Sequence, residues 1–231
     1  MTIDWFAGEV AERYDADTER RKPPEAAVDF LLPFAADGAL ELAIGTGRVA
    51  VPLAARGVRV AGIDLSPDMV AQLLKKTSDI PVVVGDMTTE RVDGTFSLAY
   101  IVCNSLNNVT TQQGQVAVFA NAARHLEVGG RFVVEVGVQN RQRLEVFDLS
   151  DTHVGVDELD FDTQRLVSHH FNLVDGQWER RSIPFRSVSP AELDLMAQLA
   201  GLELRERWAD WDRSPFIAES PKHVSVWEKV A

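Results

Sequence analysis

The chain has 231 residues, 45% of them apolar, enough to bury one substantial core, and 35 acidic against 23 basic side chains give a net charge of -12. That balance repels phosphate backbones and anionic lipid headgroups, so neither nucleic acid nor a membrane is expected as a partner. The single cysteine, Cys103, excludes an internal disulfide framework, and no apolar run approaches the roughly 20 residues of a membrane span. Met1 to Phe6 carries Asp4 and no basic leader, which predicts a cytoplasmic protein.

In chain order, Met1 to Lys22 is polar, with Trp5, Phe6 and Val10 spaced to share one helix face, and Pro23-Pro24 is suited to open a helix through about Phe34. A regular alternation then begins. Ala39 to Ile44, Val58 to Ile63, Pro81 to Val84, Phe96 to Val102 and Arg131 to Val136 are short apolar runs rich in β-branched residues, as expected of strands buried on both faces. Between them, Arg48 to Arg56 stops at Gly57, Ser66-Pro67 caps a helix over Asp68 to Lys75, and Gln113 to Leu126 carries apolar residues at helical spacing before Gly129-Gly130. Strands alternating with helices imply a Rossmann-like α/β fold, a doubly wound parallel sheet with right-handed crossovers. From about residue 139 the period changes: Arg165 to Leu173 and Trp178 to Ile183 flank Asp175-Gly176 as a hairpin would. Ser189-Pro190 with Glu192 forms a capping box for a helix to Ala200, and Leu202 to Trp208 and His223 to Trp227 read as closing strands.

The most informative stretch is Glu41 to Arg48, where a buried strand meets a helix. Gly45, Thr46 and Gly47 let backbone approach a ligand closely, and the following helix N-terminus offers unpaired N–H groups. Asp64 ends the next strand, where a carboxylate can accept both hydroxyls of a ribose. Gly85-Asp86-Met87 follows the third strand, with an acid for an exocyclic amine and an apolar side chain for a ring. Each feature alone also has a structural reading, as a turn or a cap; together, at successive strand ends, they describe a site for an adenosine with a short charged tail. Gly45 to Ala50 formally satisfies the nicotinamide fingerprint as well. Glu41 argues against it, because a carboxylate four residues before Gly45 burdens a pyrophosphate and suits an ammonium.

These residues resemble the class I S-adenosylmethionine-dependent methyltransferases: the loop Glu41 to Gly47, Gly62-Ile63-Asp64-Leu65-Ser66, and Gly85-Asp86-Met87. The core match spans roughly 38–138. It extends more loosely to the C-terminus, which looks like that of an actinobacterial-type, small-molecule branch. The resemblance implies a seven-stranded sheet whose last strand, His223 to Trp227, runs antiparallel. It implies S-adenosylmethionine as cofactor, held by Glu41, Ala43, Gly45, Thr46, Gly47, Asp64, Leu65, Met69, Asp86, Met87 and the backbone of Cys103 or Asn104, with Tyr14 folded over it. Ala43 stands where the usual loop has its first glycine. One methyltransferase domain follows: a lid (1–37), a cofactor core (38–138), an antiparallel insertion over the acceptor (139–189) and a closing helix and strand pair (190–231).

A methylsulfonium is already activated, so the chain has mainly to align a small-molecule acceptor, at oxygen or nitrogen, and remove a proton where needed. Glu135, His153, His169 and His170 are the candidate bases by position; His169 and His170, adjacent in a strand, must point to opposite faces. Trp208, Trp211 and Phe216 are candidates for an acceptor wall or for core, His125 reads as a solvated helix-end group, and no residues have metal-ligand spacing. A nicotinamide-dependent oxidoreductase and a non-catalytic nucleotide-binding module remain the alternatives. Oligomeric state is not legible.

Overall fold

The five predicted core strands pair side by side in the computed structural model, which describes residues 4–18, 25–138 and 143–230. They are β1 (Ala39–Leu42), β2 (Val60–Asp64), β3 (Val82–Val84), β4 (Phe96–Ile101) and β5 (Leu126–Gly137), all mutually parallel. Four further strands, β6 (Leu144–Leu149), β7 (His153–Asp160), β8 (Arg165–Val174) and β9 (Gln177–Arg186), form a separate antiparallel sheet. Two more, β10 (Leu202–Trp208) and β11 (Lys222–Lys229), close the first sheet in the order β10-β11-β5-β4-β1-β2-β3. As expected, β11 is antiparallel, to both β5 and β10.

Among the described residues six α-helices pack around this frame: α1 (Glu9–Thr18), α2 (Glu25–Leu31), α3 (Ala50–Ala55), α4 (Pro67–Leu74), α5 (Gln112–His125) and α6 (Pro190–Leu199). The Ser66 and Ser189 hydroxyls cap α4 and α6 as the sequence implies, accepting from the N–H of Met69 and Glu192, and the Thr111 hydroxyl, not anticipated, caps α5 by accepting from Gly114 N–H. Leu40, Leu42, Leu98, Tyr100 and Ile101 are fully buried because apolar layers cover both faces of the sheet. Under α5 and α6, Phe119 meets Phe132 and Trp227 edge to face at 5.0 and 5.4 Å. Under α2, α3 and α4 lie Phe30, Leu31, Leu53 and Leu73.

Several expectations are corrected. Trp5 and Phe6 do not share a helix with Val10: α1 starts only at Glu9, because Gly8 takes a φ of 62° and donates its N–H to Asp68 Oδ2 at 2.7 Å. Pro23 and Pro24 lie outside the described residues. Gly129-Gly130 does not turn the chain into β5 but sits within it, at an irregularity where the partner of Phe96 is Leu126 and that of Leu98 is Arg131. The insertion holds four strands where two were read, since β6 and β7 carry scattered acids that obscure the alternation. Among the described residues no helix is long and apolar enough to cross a membrane.

Candidate active site

From β1 the chain winds to β2 and β3 on one side and, through β4, to β5 on the other. The carboxyl ends of β1 and β4 therefore flank a topological switch point, where open α/β sheets bind ligands. A cavity of about 550 Å³ opens there. All the predicted cofactor residues line it except Gly47 and Asn104.

The loop after β1 is held in an unusual backbone path. Ala43, Gly45 and Gly47 have φ of 61°, 56° and 77°; for Ala43 the left-handed region costs about 1 kcal/mol, a strain a glycine would not carry. A Cβ on Gly47 would lie 2.9 Å from Val51 and 3.0 Å from Leu73, so Gly47 serves to seat the loop on α3 and α4. The Asp64 carboxylate fixes the loop from β2: Oδ2 accepts Gly45 N–H at 2.6 Å and Oδ1 accepts Ser66 N–H at 2.8 Å. Burial raises the Asp64 pKa, and those two hydrogen bonds offset part of the rise.

Glu41 lies beneath the loop at 2% exposure and accepts the Tyr100 hydroxyl at 2.9 Å. Burial pushes its carboxyl up to about 8, against the Tyr100 bond and with the neighbouring Asp64 charge adding to the rise. A cationic group entering the cavity would draw the proton off. Asp86 caps its own turn, Oδ1 accepting Thr88 N–H at 2.9 Å, while Met87 is held by Asn121 Nδ2, which donates to its carbonyl at 2.9 Å. The floor thus offers an acid at each of three strand ends with Met69, Met87 and Leu65 between them, which fits an adenosine carrying an ammonium tail.

The N-terminal segment forms the opposite wall. Thr46 Oγ1 donates to Asp15 Oδ1 at 2.6 Å, Lys76 Nζ pairs with Asp15 Oδ2, and the same ammonium donates to the Thr46 carbonyl at 2.8 Å. Burial alone would raise the Asp15 pKa; the Lys76 and Thr46 hydrogen bonds leave it lowered. Tyr14 meets Phe6 edge to face at 6.2 Å, and Asp4, Trp5 and Phe6 line the cavity, as do Asn108 and Pro184. The sequence reading missed these last five. Two aromatic residues in an otherwise polar leader were the available signal for Trp5 and Phe6; nothing local marks Pro184.

None of the candidate bases lines the cavity. Glu135 accepts Cys103 N–H at 2.9 Å and Lys222 Nζ at 2.7 Å. His169 and His170 do point to opposite faces, the former to Ser182 at 2.8 Å, the latter to His153 at 3.1 Å, and His153 in turn to Asp148 at 2.7 Å. Trp208 and Trp211 pack on the α2 side, Trp211 against Phe30, and Phe216 covers His223, so none of the three forms an acceptor wall. His125 is not solvated: it is 3% exposed, its Nε2 accepts Val92 N–H at 3.1 Å, and burial lowers its pKa, so it is a neutral core ligand of the β3–β4 connection. Cys103 is exposed.

A doubly wound sheet with an acid inside its first strand, a glycine loop and an acid ending its second strand defines a cofactor-binding α/β enzyme of the methyltransferase class. The family model described as "Methyltransferase domain" matches residues 39–130. The CcbJ methyltransferase from Streptomyces caelestis superposes with a TM-score of 0.83 at 33% identity, covering 94% of this chain and 96% of that one. The cypemycin N-terminal methyltransferase of a Streptomyces species is 28% identical over 203 residues, 82% of each chain. A putative methyltransferase, YqeM of Bacillus subtilis (strain 168), is 33% identical over 101 residues, only 41% of its length. The chain belongs to the class I S-adenosylmethionine-dependent methyltransferases, and S-adenosylmethionine is its methyl donor; the nicotinamide alternative falls away.

Proposed function

We propose that this protein methylates an amine nitrogen of a small-molecule acceptor in the cytoplasm. The observation that carries the reading is the cavity lining, to which Asp4, Trp5, Phe6 and Tyr14 of the N-terminal segment contribute a carboxylate and three aromatic rings. Carboxylates beside aromatic faces attract a protonated amine through charge and ring faces, and Arg48 is the one basic side chain among the described lining residues. Among the described lining residues there is no histidine or lysine, the usual aids for stripping a proton from a hydroxyl acceptor. The name of the cypemycin N-terminal methyltransferase, an amine-directed enzyme, supports the same class.

In this reading Asp64 holds the cofactor ribose, Asp86 and Met87 the adenine, and Glu41 with the Cys103 backbone the methionine end. S-adenosylmethionine supplies an activated methyl group, leaving the chain to align the acceptor and pass its proton to Asp4 or to water. The lid in this reading is residues 4–18 and the cover is β6 to β9, while α2, expected to belong to the lid, packs in the core instead: the Arg181 guanidinium of β9 lies 5.9 Å from the Phe6 ring centroid and joins lid and cover. The test has two stages. Calorimetric titration with S-adenosylhomocysteine, beside NADH, should give micromolar binding of the former alone. A panel of small amines and their hydroxyl isosteres, followed by S-adenosylhomocysteine release, should then turn over amines; turnover confined to hydroxyl compounds would sink the amine assignment.

A further inference from the structure

After β4 the chain passes through two consecutive non-glycine residues in the left-handed region, Cys103 at φ 56° and Asn104 at φ 61°. The left-handed region is strained for cysteine and better tolerated by asparagine, and two such residues in succession persist only where neighbours over-determine them. The neighbours are on β5. Cys103 N–H donates to Glu135 Oε2 at 2.9 Å, and Asn104 Oδ1 accepts Gly137 N–H at 2.9 Å and Asn107 Nδ2 at 3.0 Å. The Glu135 side chain, 13% exposed, is itself anchored: Lys222 Nζ lies 2.7 Å from its Oε1 and 2.8 Å from Asp210 Oδ1. Burial lowers the Lys222 pKa, but the two carboxylates outweigh it and keep the ammonium charged. A chain of contacts thus runs from the C-terminal strand pair to the cavity wall that Cys103 forms.

We propose that Glu135 is a positioning residue for this enzyme: by holding Cys103 N–H it fixes the left-handed turn that shapes the methionine end of the cavity. It touches neither cofactor nor acceptor, and it acts through the Cys103 backbone. The proposal rests on the assignment of the cavity as the cofactor site.

Cys103 is the chain's single cysteine, so a thiol reagent reports on this turn alone. The experiment compares the full-length wild type with three variants, measuring the Kd for S-adenosylhomocysteine and the rate of Cys103 modification by an aromatic disulfide. Glu135→Ala should weaken binding at least tenfold and speed modification at least fivefold. Glu135→Gln keeps a carbonyl acceptor for the Cys103 N–H and should restore both to within about threefold. Lys222→Met removes the ion pair but leaves the Cys103 contact, and should also stay within about threefold. If Glu135→Ala does not fold, Glu135→Asp, one methylene too short to reach, makes the same comparison. Wild-type values in the Ala or Asp variant would overturn the proposal, as would equal losses in Lys222→Met, which would make Glu135 merely half of a structural ion pair. A wild type that binds no S-adenosylhomocysteine would overturn the cofactor assignment instead, while the modification rates would still decide whether Glu135 holds the turn.

Discussion

The Tyr100 hydroxyl donates to Glu41 Oε2 at 2.9 Å between two almost wholly buried side chains, at the point where β1 and β4 run side by side. The bond favours the ionised carboxylate, yet burial wins and holds the Glu41 carboxyl near 8. A folded pKa above the ordinary 4.5 means that Glu41 costs stability increasingly as pH rises from about 4.5 to 8. Glu41→Gln should therefore gain in melting temperature over the wild type across that window and hold a constant gain above it. If the ammonium of S-adenosylhomocysteine draws off the proton, calorimetry at pH 6.5 in buffers of different ionisation enthalpy should report close to one proton released, and none in Glu41→Gln. Equal enthalpies in both buffers for the wild type would remove Glu41 from the ammonium site.

Asp64 ties the glycine loop to β2 and, in the proposed reading, also accepts from the ribose. Asp64→Ala should weaken S-adenosylhomocysteine binding by roughly 1–3 kcal/mol, because charge-assisted hydrogen bonds are lost and the N–H groups of Gly45 and Ser66 lose their acceptor. An unchanged dissociation constant is the outcome that excludes it.

The contact of α1 with the glycine loop rests on the ion pair of Asp15 and Lys76, both partly solvated, and on the buried Thr46 hydroxyl, so the ion pair should contribute only about 1 kcal/mol or less. Lys76→Met should leave the urea midpoint almost unmoved while speeding tryptic cleavage at Arg13 several-fold. The lowered Asp15 pKa sets the sign with pH: the contact contributes fully above the ordinary carboxyl range and is lost as pH falls below that range through the lowered Asp15 pKa. Cleavage at the wild-type rate in the variant would show that other contacts hold α1.

Arg186, 5% exposed, donates to Gln115 Oε1 at 2.6 Å, Gln164 Oε1 at 2.5 Å and Glu192 Oε1 at 2.7 Å, joining β9 to α5 and α6. Removing it leaves the mostly buried Glu192 carboxylate with the Gln112 and Gln164 amides but no counter-charge, so Arg186→Met should cost about 3 kcal/mol in urea unfolding, and a compensating Glu192→Leu should recover most of the loss. Burial raises the Glu192 pKa but its partners leave it lowered, so its contribution is present above the usual carboxyl pKa and fades as pH falls. A single-variant loss below 1 kcal/mol would mean the network is not what docks the second sheet.

Much of the site was legible because a parallel strand and its carboxyl end are encoded locally. Glu41, Gly45, Asp64 and Asp86 each sit where a run of apolar residues meets a turn signal, and a doubly wound sheet must bring such ends together. The helix caps Ser66 and Ser189 were legible for the same reason, a short-range hydrogen bond written in four residues. Glu192, read as closing a capping box, instead gives its carboxylate to Arg186, Gln164 and Gln112, partners 6, 28 and 80 residues away.

The sequence by itself determined the alternation of strand and helix and the order of acids around the glycine loop, because periodicity, turn chemistry and strand-end placement are properties of a few consecutive residues; the cofactor followed only from the family resemblance those residues carry. Only the tertiary structure decided what each polar group does. It turned Glu135 from a candidate base into the partner of Cys103 and Lys222, made His125 a neutral core group, and brought Trp5, Phe6 and Pro184 to one cavity. Those outcomes depend on contacts between residues far apart in the chain, and on burial that sets the charge of each, neither of which a local pattern can carry.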